Sequence, residues 1–322
     1  MRQTTLIYNP LAGPATLAAP INLVADFWRT QGWQVSIQPT QFAGHATELA
    51  KAAATAGQPL VLAAGGDGTL REAANGLAGT ETALGLLPVG TGNSFAKELQ
   101  MPLPTRWDKH KLLQAADALA GGRVQRIDLG MMGNGEQRNG CYWVLWAGVG
   151  ADGFLVDNLE PRPKWSKKLG TAGYAAQGLA VAPKMPSIQT KVEVDGRIFE
   201  DEYLLALVSN CRRYAGGEVV LSPNARLDDG LFEVWLFRGS GVARILQSLI
   251  KVKLGRHLED EMITMVNGRR VTIHTTPIMP AQADGERAGY SPLTCEIKPG
   301  ALRLLVPNTA PSDLFSLPGE AL

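Results

Sequence analysis

The chain has little cysteine, almost no net charge and no long apolar run. Its 322 residues include three cysteines, Cys141, Cys211 and Cys295, far apart and none in a CxxC pair. That pattern excludes a disulfide framework and a cysteine zinc site, and it reads as three reduced, buried thiols of a cytosolic protein. Lys plus Arg number 31 against 30 Asp plus Glu, so no basic field of the kind that drives nucleic-acid binding exists. Any polyanionic partner has to be met locally. The best apolar stretch, Tyr142 to Val156, carries Asp152 and falls short of the ~18 residues of a membrane helix. At the start, Asn9 and Pro10 arrive before an apolar signal-peptide core can form. The expectation is a soluble cytoplasmic protein, with peripheral attachment to the inner face of the membrane left open.

Apolar residues make up 45% of the chain and charged ones 19%, a balance that folds. Its length suggests two domains. The first 122 residues alternate short apolar runs with helical spacing, the signature of βα units on a parallel sheet. Strands are predicted at Thr5 to Tyr8, Trp33 to Ile37, Leu60 to Ala63 and Ala83 to Leu87, with helices at Leu17 to Trp28, Thr47 to Ala56, Thr69 to Ala78, Asn93 to Gln100 and Trp107 to Leu119. Between 123 and 299 the period becomes mostly two, and a mainly β domain of the sandwich or barrel kind is expected. Its candidate strands are Val124 to Leu129, Tyr142 to Ala147, Gln189 to Val194, Tyr203 to Ser209, Leu231 to Phe237 and Arg270 to Thr275, and Asp195-Gly196 marks a hairpin. The last run, Leu302 to Val306, fits either domain, including a return of residues 300–322 to the first. Trp28, Trp33, Trp107 and Trp235 sit in regular patterns and read as core.

Glycine is abundant, 36 residues beside 20 prolines. The densest group is Gly65-Gly66-Asp67-Gly68-Thr69, between a buried strand and a helix with Leu70, Ala73, Ala74 and Leu77 on its apolar face. Glycine lets backbone N-H groups approach a ligand closely, and a helix N-terminus favours phosphate. An acid in such a loop repels bare phosphate but suits phosphate carrying Mg²⁺. Read alone, the segment is also a tight βα corner with Asp67 as a helix cap. A second loop, Val89-Gly90-Thr91-Gly92-Asn93-Ser94, follows the next strand. Neither loop is a Walker A or a GxGxxG sequence. Side by side at the carboxyl edge of a parallel sheet, they would make a phosphate site.

With these loops in order between Asn9-Pro10-Leu11-Ala12-Gly13, Thr40 with Gly44-His45-Ala46, and a downstream cluster, the sequence resembles the diacylglycerol kinase catalytic domain and the related bacterial lipid kinases. That cluster is Ser209-Asn210, Gly216-Gly217, Ser222 to Ala225, Asp228 to Leu231 and Asp284-Gly285-Glu286. The resemblance implies a Rossmann-like nucleotide fold shared with NAD kinases and phosphofructokinases, plus a β sandwich-like second domain. The NAD-kinase Asn-Glu-Asp motif and the paired acids of phosphofructokinases are missing.

The resemblance further implies an ATP-dependent lipid kinase, with diacylglycerol to phosphatidate as the leading reaction. Sphingoid bases or other lipid alcohols come next, then a soluble alcohol, and a non-catalytic nucleotide-binding regulator is the reading from another class. ATP would be held by Asn9, Pro10, Leu11, Ala12, Gly13, Thr40, Gly65, Gly66, Asp67, Gly68, Thr69, Leu70, Arg71, Glu72, Thr91, Gly92 and Asn93. Asp67 would serve the catalytic Mg²⁺, and Asp284 with Glu286 the general-base work on the lipid hydroxyl. Asp229 with the carbonyls of Arg226 and Leu231 would bind a structural Mg²⁺. Ser94 stands where many diacylglycerol kinases carry Asp. The partner implied is a lipid at a membrane surface, with a homodimer left open and no nucleic acid.

Two segments are candidates for membrane contact. Arg162 to Lys168 surrounds Trp165 with basic residues. Arg244 to Lys253 is amphipathic, and its Ile245, Leu246, Leu249 and Ile250 side is expected to pack on the β domain. The four histidines are scattered and none is assigned to catalysis.

Overall fold

The computed structural model describes residues 2–12, 18–104, 110–133, 140–159 and 181–322. It has two compact units, Met1–Leu129 with Arg226–Asp229 and Pro299–Leu322, and Gly130–Ala225 with Gly230–Lys298. Trp107 and the basic segment Arg162 to Lys168 lie outside the described residues.

The first unit carries β1 (Arg2–Tyr8), α1 (Ala18–Thr30), β2 (Trp33–Pro39), α2 (His45–Thr55), β3 (Leu60–Gly65), α3 (Asp67–Leu77), β4 (Ala83–Pro88), α4 (Ser94–Glu98), α5 (His110–Ala120) and the start of β5 (Arg123–Gly133). β1 lies parallel between β2 and β3, and β3 pairs in parallel with β4. Leu302 to Val306 completes this sheet as the end of a longer strand, pairing in parallel with β4 through Leu304–Leu84 and Leu305–Gly85. β3 and β4 are buried along their whole length, as apolar runs covered on both faces must be. α3 turns Leu70, Ala73, Ala74 and Leu77 inward. Burying the two leucines contributes about 1.5–3 kcal/mol each. Gly76 lets α2 and α3 close up, since a Cβ there would lie 2.4 Å from the Thr47 carbonyl oxygen. The strand order reverses between β1 and β3, and the carboxyl ends at such a reversal are where open α/β sheets collect ligands.

The second unit continues with β6 (Cys141–Trp143), β7 (Trp146–Gly150), α6 (Ala151–Leu159), β8 (Gln189–Val194), β9 (Arg197–Ser209), β10 (Arg213–Tyr214), β11 (Val219–Val220), β12 (Phe232–Arg238), α7 (Gly241–Lys253), β13 (Ile263–Gly268), β14 (Arg270–Thr276), β15 (Pro280–Ala283), β16 (Glu286–Tyr290) and β17 (Leu293–Val306). β9 serves two sheets. Its first half pairs with β8, which leads to β14 and β17. Its second half lies between β7 and β12, which lead to β15, β16 and β13. A core that includes Trp143, Val192, Val208, Phe232, Val271 and Ile273 fills this β sandwich-like unit. Asp195-Gly196, at φ +47° and +82°, closes the β8–β9 hairpin.

Three expectations need correction. Cys141 is exposed, while Cys211 and Cys295 are buried, and burial pushes the Cys295 thiol up to about 12. The single strand expected at Tyr142 to Ala147 is broken at Val144 and Leu145, because their amides serve a carboxylate, as described below. On α7, Ser248 and Val252 are buried while Leu246, Leu249 and Ile250 are exposed. Arg244 and Lys251 both pair with Asp260, which fixes the helix with that apolar side outward. Trp28, Trp33 and Trp235 are core as expected, and among the described residues no helix is long and apolar enough to cross a membrane.

Candidate active site

Four strand ends of the first unit meet along one edge of its sheet. Asn9 follows β1, Thr40 follows β2, Gly66 to Thr69 turn from β3 into α3, and Gly90 to Asn93 join β4 to α4. Backbone bonds keep these ends in line. Asn9 N-H donates to the Ala64 carbonyl at 3.1 Å, Thr40 N-H to that of Tyr8 at 2.9 Å and Val89 N-H to that of Gly65 at 2.9 Å. Asn9 folds the chain into a tight turn, its side-chain oxygen accepting the Leu11 amide at 2.9 Å, and Leu11 stands exposed. Gly13 lies outside the described residues.

The two glycine loops touch through their backbones. A Cβ on Gly90 would lie 2.6 Å from the Gly66 Cα, so a side chain at position 90 would displace the first loop, whereas a Cβ on Gly66 would meet the Gly90 Cα at 3.4 Å. The first amides of α3 have no partner within the helix, and their aligned dipoles favour an anion. Asn93, at φ +51°, donates to the Gly90 carbonyl at 2.6 Å, and its Oδ1 is buried with no hydrogen-bond partner. An orphaned buried acceptor costs about 1–3 kcal/mol. Beside a cradle of bare backbone, it fits a site that a bound ligand completes.

Asp67 latches the two loops together. Its Oδ2 accepts the Ser94 amide at 2.9 Å and its Oδ1 the Phe95 amide at 3.2 Å, so the acid of the first loop caps the helix that follows the second. Each oxygen keeps capacity for another partner, and one carboxylate with phosphate oxygens suits Mg²⁺, which retains several waters. Among the described residues no three His, Cys, Asp or Glu side chains cluster into a closed metal cage. Glu72 is the sixth residue of α3. It accepts the Ala46 amide at 3.2 Å and, through its carbonyl, the Thr47 hydroxyl at 2.8 Å, bracing α2. Leu70 is fully buried. Asn9, Thr40, Gly65 to Thr69 and Thr91 to Asn93 are therefore brought together, while the Leu70 side chain is buried in the core and that of Glu72 bonds to the start of α2.

In the second unit Asp284-Gly285, at φ +51° and +80°, forms the two-residue turn between β15 and β16. The buried Asp284 carboxylate accepts three consecutive amides: Val144 at 2.9 Å, Leu145 at 2.8 Å and Trp146 at 3.3 Å. The other side of that segment is held too, since Asn210 donates to the Val144 and Leu145 carbonyls at 3.2 and 2.9 Å. Amides turned toward a carboxylate cannot serve a strand ladder, and this interrupts the predicted strand. Glu286, two residues on, is exposed. The adjoining loop is tied by Trp235 Nε1 donating to the Ser222 hydroxyl at 2.7 Å and Arg212 Nε donating to the Ala225 carbonyl at 2.9 Å.

Of the consecutive acids near 228, Asp228 is engaged, its carboxylate accepting the Ser316 and Leu317 amides at 2.6 and 3.0 Å. Asp229 is exposed. Sequence reasoning missed Asp152 and Gln282, buried side chains joined by a 2.7 Å hydrogen bond; the one signal was a lone acid in a glycine-rich apolar stretch.

Residues 3–132 match the model of the diacylglycerol kinase catalytic domain, and 148–306 that of the YegS C-terminal NAD kinase beta sandwich-like domain. A Bacillus subtilis diacylglycerol kinase is 32% identical over 294 residues, 91% of this chain and 92% of the relative. One from Staphylococcus carnosus is 29% identical, covering 90% of each. Two crystal structures from Bacillus anthracis share the fold, with TM-scores of 0.76 and 0.70 at 24% and 21% identity, covering 96% of this chain and 97% and 98% of theirs. Spanning both units, this similarity establishes that the chain belongs to the diacylglycerol kinase family.

Proposed function

We propose that the chain transfers the γ-phosphate of ATP to a lipid hydroxyl, converting diacylglycerol to phosphatidate. The observation that carries this reading is the division of labour between the two acids of Asp284-Gly285-Glu286. Asp284 spends its carboxylate on three backbone amides, whereas Glu286 is exposed. Glu286 accordingly accepts the hydroxyl proton as the substrate oxygen bonds to the γ-phosphorus and the bond to the β,γ-bridging oxygen breaks, releasing ADP. Asp284 fixes the turn that presents Glu286. In the first unit, the α3 amides and the Gly66–Gly90 cradle receive the phosphates, with Asn9, Thr40, Thr91 and Asn93 around them.

Bound Mg²⁺ supplies charge neutralisation at the phosphates, and Asp67 is the carboxylate that would hold it. With Asp228 taken up by two amides, Asp229 is the acid of its loop that would serve a structural Mg²⁺, with the carbonyls of Arg226 and Leu231 as further ligands. Ser94, in the place of the commoner Asp, keeps a sphingoid base or another lipid alcohol as the second reading. The protein would work peripherally at the cytoplasmic face of a membrane. Labelled ATP and Mg²⁺ offered separately with micellar diacylglycerol, sphingosine, ceramide and NAD should label phosphatidate most strongly. Labelling of a sphingoid product instead would favour the second reading, and transfer only to NAD, or to nothing, would overturn both.

A further inference from the structure

Helix α6 holds both neighbours of Glu286. Asp152, at its second position, is buried. Its Oδ2 accepts the Gln282 side-chain amide at 2.7 Å, and its Oδ1 accepts the Gly153 N-H at 2.7 Å. The Tyr214 side chain is a further hydrogen-bond partner. The opposite end of the Gln282 amide, Oε1, accepts the Gly285 N-H at 2.9 Å. Farther along α6, Asp157 pairs with Arg287, Oδ1 to Nε at 3.2 Å, and its carbonyl also accepts from the Arg287 guanidinium. Residues 285 and 287 flank Glu286, so the strand entering and leaving that acid is tied to one helix.

The direction of the Gln282 amide follows from chemistry. An ionised carboxylate only accepts, so Gln282 must turn its NH₂ toward Asp152 and thereby its carbonyl toward the Gly285 N-H. A flipped amide would set donor against donor at Gly285 and acceptor against acceptor at Asp152. The space is specific as well, for a Cβ on Gly148 would lie 2.5 Å from Asp152 Oδ2.

We propose that Asp152, acting through Gln282, and Asp157, acting through Arg287, are positioning residues that set where Glu286 stands. The proposal rests on the role assigned to Glu286 above. A buried carboxylate is costly to maintain, and burial pushes Asp152 up to about 6, against the lowering effect of its bonds to Gln282, Gly153 and Tyr214. Protonation gives it a donor and releases the constraint on the amide. Among the described residues packed against α6, β7 and β15 carry no titratable side chain, nor does the stretch of β9 paired with β7. β16 brings Glu286, Arg287 and Tyr290, β10 brings Tyr214, and α6 itself adds Asp157.

The test compares the parent with Asp152→Asn, Gln282→Met and the surface variant Asp157→Asn, each first checked for a cooperative unfolding transition. With diacylglycerol micelles and Mg·ATP, Asp152→Asn and Gln282→Met should lower kcat about 10-fold or more while leaving the KM for ATP unchanged. Asp157→Asn should do so to a lesser degree. The parent should lose turnover in acid with a midpoint near 6, and Asp152→Asn should lack that limb. Amide exchange of the peptide spanning residues 283–290 should quicken in all three variants. If the parent phosphorylates no lipid, the proposed function falls separately and this exchange still decides, with unchanged protection overturning the inference. In an active parent, unchanged kcat in the three variants overturns it whatever the exchange shows. Should Asp152→Asn not fold, the other two variants carry the test.

Discussion

The β unit contains an Asp-Gly two-residue turn twice, Asp195-Gly196 and Asp284-Gly285, with φ angles matching to within a few degrees. Both aspartates also use the carboxylate in the same way, to accept amides from another segment. Asp195 takes those of Arg269 and Arg270 at 2.8 Å each, and Asp284 those of Val144, Leu145 and Trp146. What differs is the setting. Asp195 is exposed, while Asp284 is buried, its turn backed by Gln282 and, behind that, Asp152. An identical local motif is thus a hairpin corner in one place and the mount of an exposed acid in the other.

Four experiments bear on this contrast. Asp284→Ala strands three buried amides and should cost about 3 kcal/mol or more, with transfer lost as well; chemical denaturation together with activity checks it. Asp152 is next, because it backs one turn and not the other. Its folded pKa lies above the ordinary 3.8, so its ionisation opposes folding. That cost is absent below about pH 4 and complete above about 6. Asp152→Asn removes it, so the variant's stability relative to the parent should climb between pH 4 and 7 by up to about 3 kcal/mol, read from denaturation at each pH.

Gly285→Ala and Gly196→Ala form a matched pair. Neither new Cβ would meet an atom within 4 Å, so each should lose about 1–2 kcal/mol from backbone strain alone, but only Gly285→Ala should slow transfer. A shared loss of activity would show that the hairpins are not functionally distinct. The smallest effect belongs to Asp195→Ala, about 1 kcal/mol or less at an exposed site, with kcat unchanged.

The α/β half was legible because buried strands and amphipathic helices have different periods, and each predicted element there recurs with its ends shifted by a few residues. Legibility fell in the β half. Pro280–Ala283 and Glu286–Tyr290 are short and chemically mixed, so neither alternation nor an apolar run announces them. The acids and glycines of the candidate site stand in recognisable motifs, but their hydrogen-bond partners do not. Asp67 reaches the next loop instead of its own helix, and Asp284 finds its amides some 140 residues away. Gln282 carried no signal, since its meaning comes entirely from Asp152 on one side and Gly285 on the other.

The most direct test of the account is Glu286→Gln, assayed for label transfer from ATP to micellar diacylglycerol and, separately, for ATP binding. The division of labour between the two acids predicts a fall in kcat on the order of 100-fold or more with ATP affinity and unfolding transition unchanged. Full transfer by that variant would contradict it.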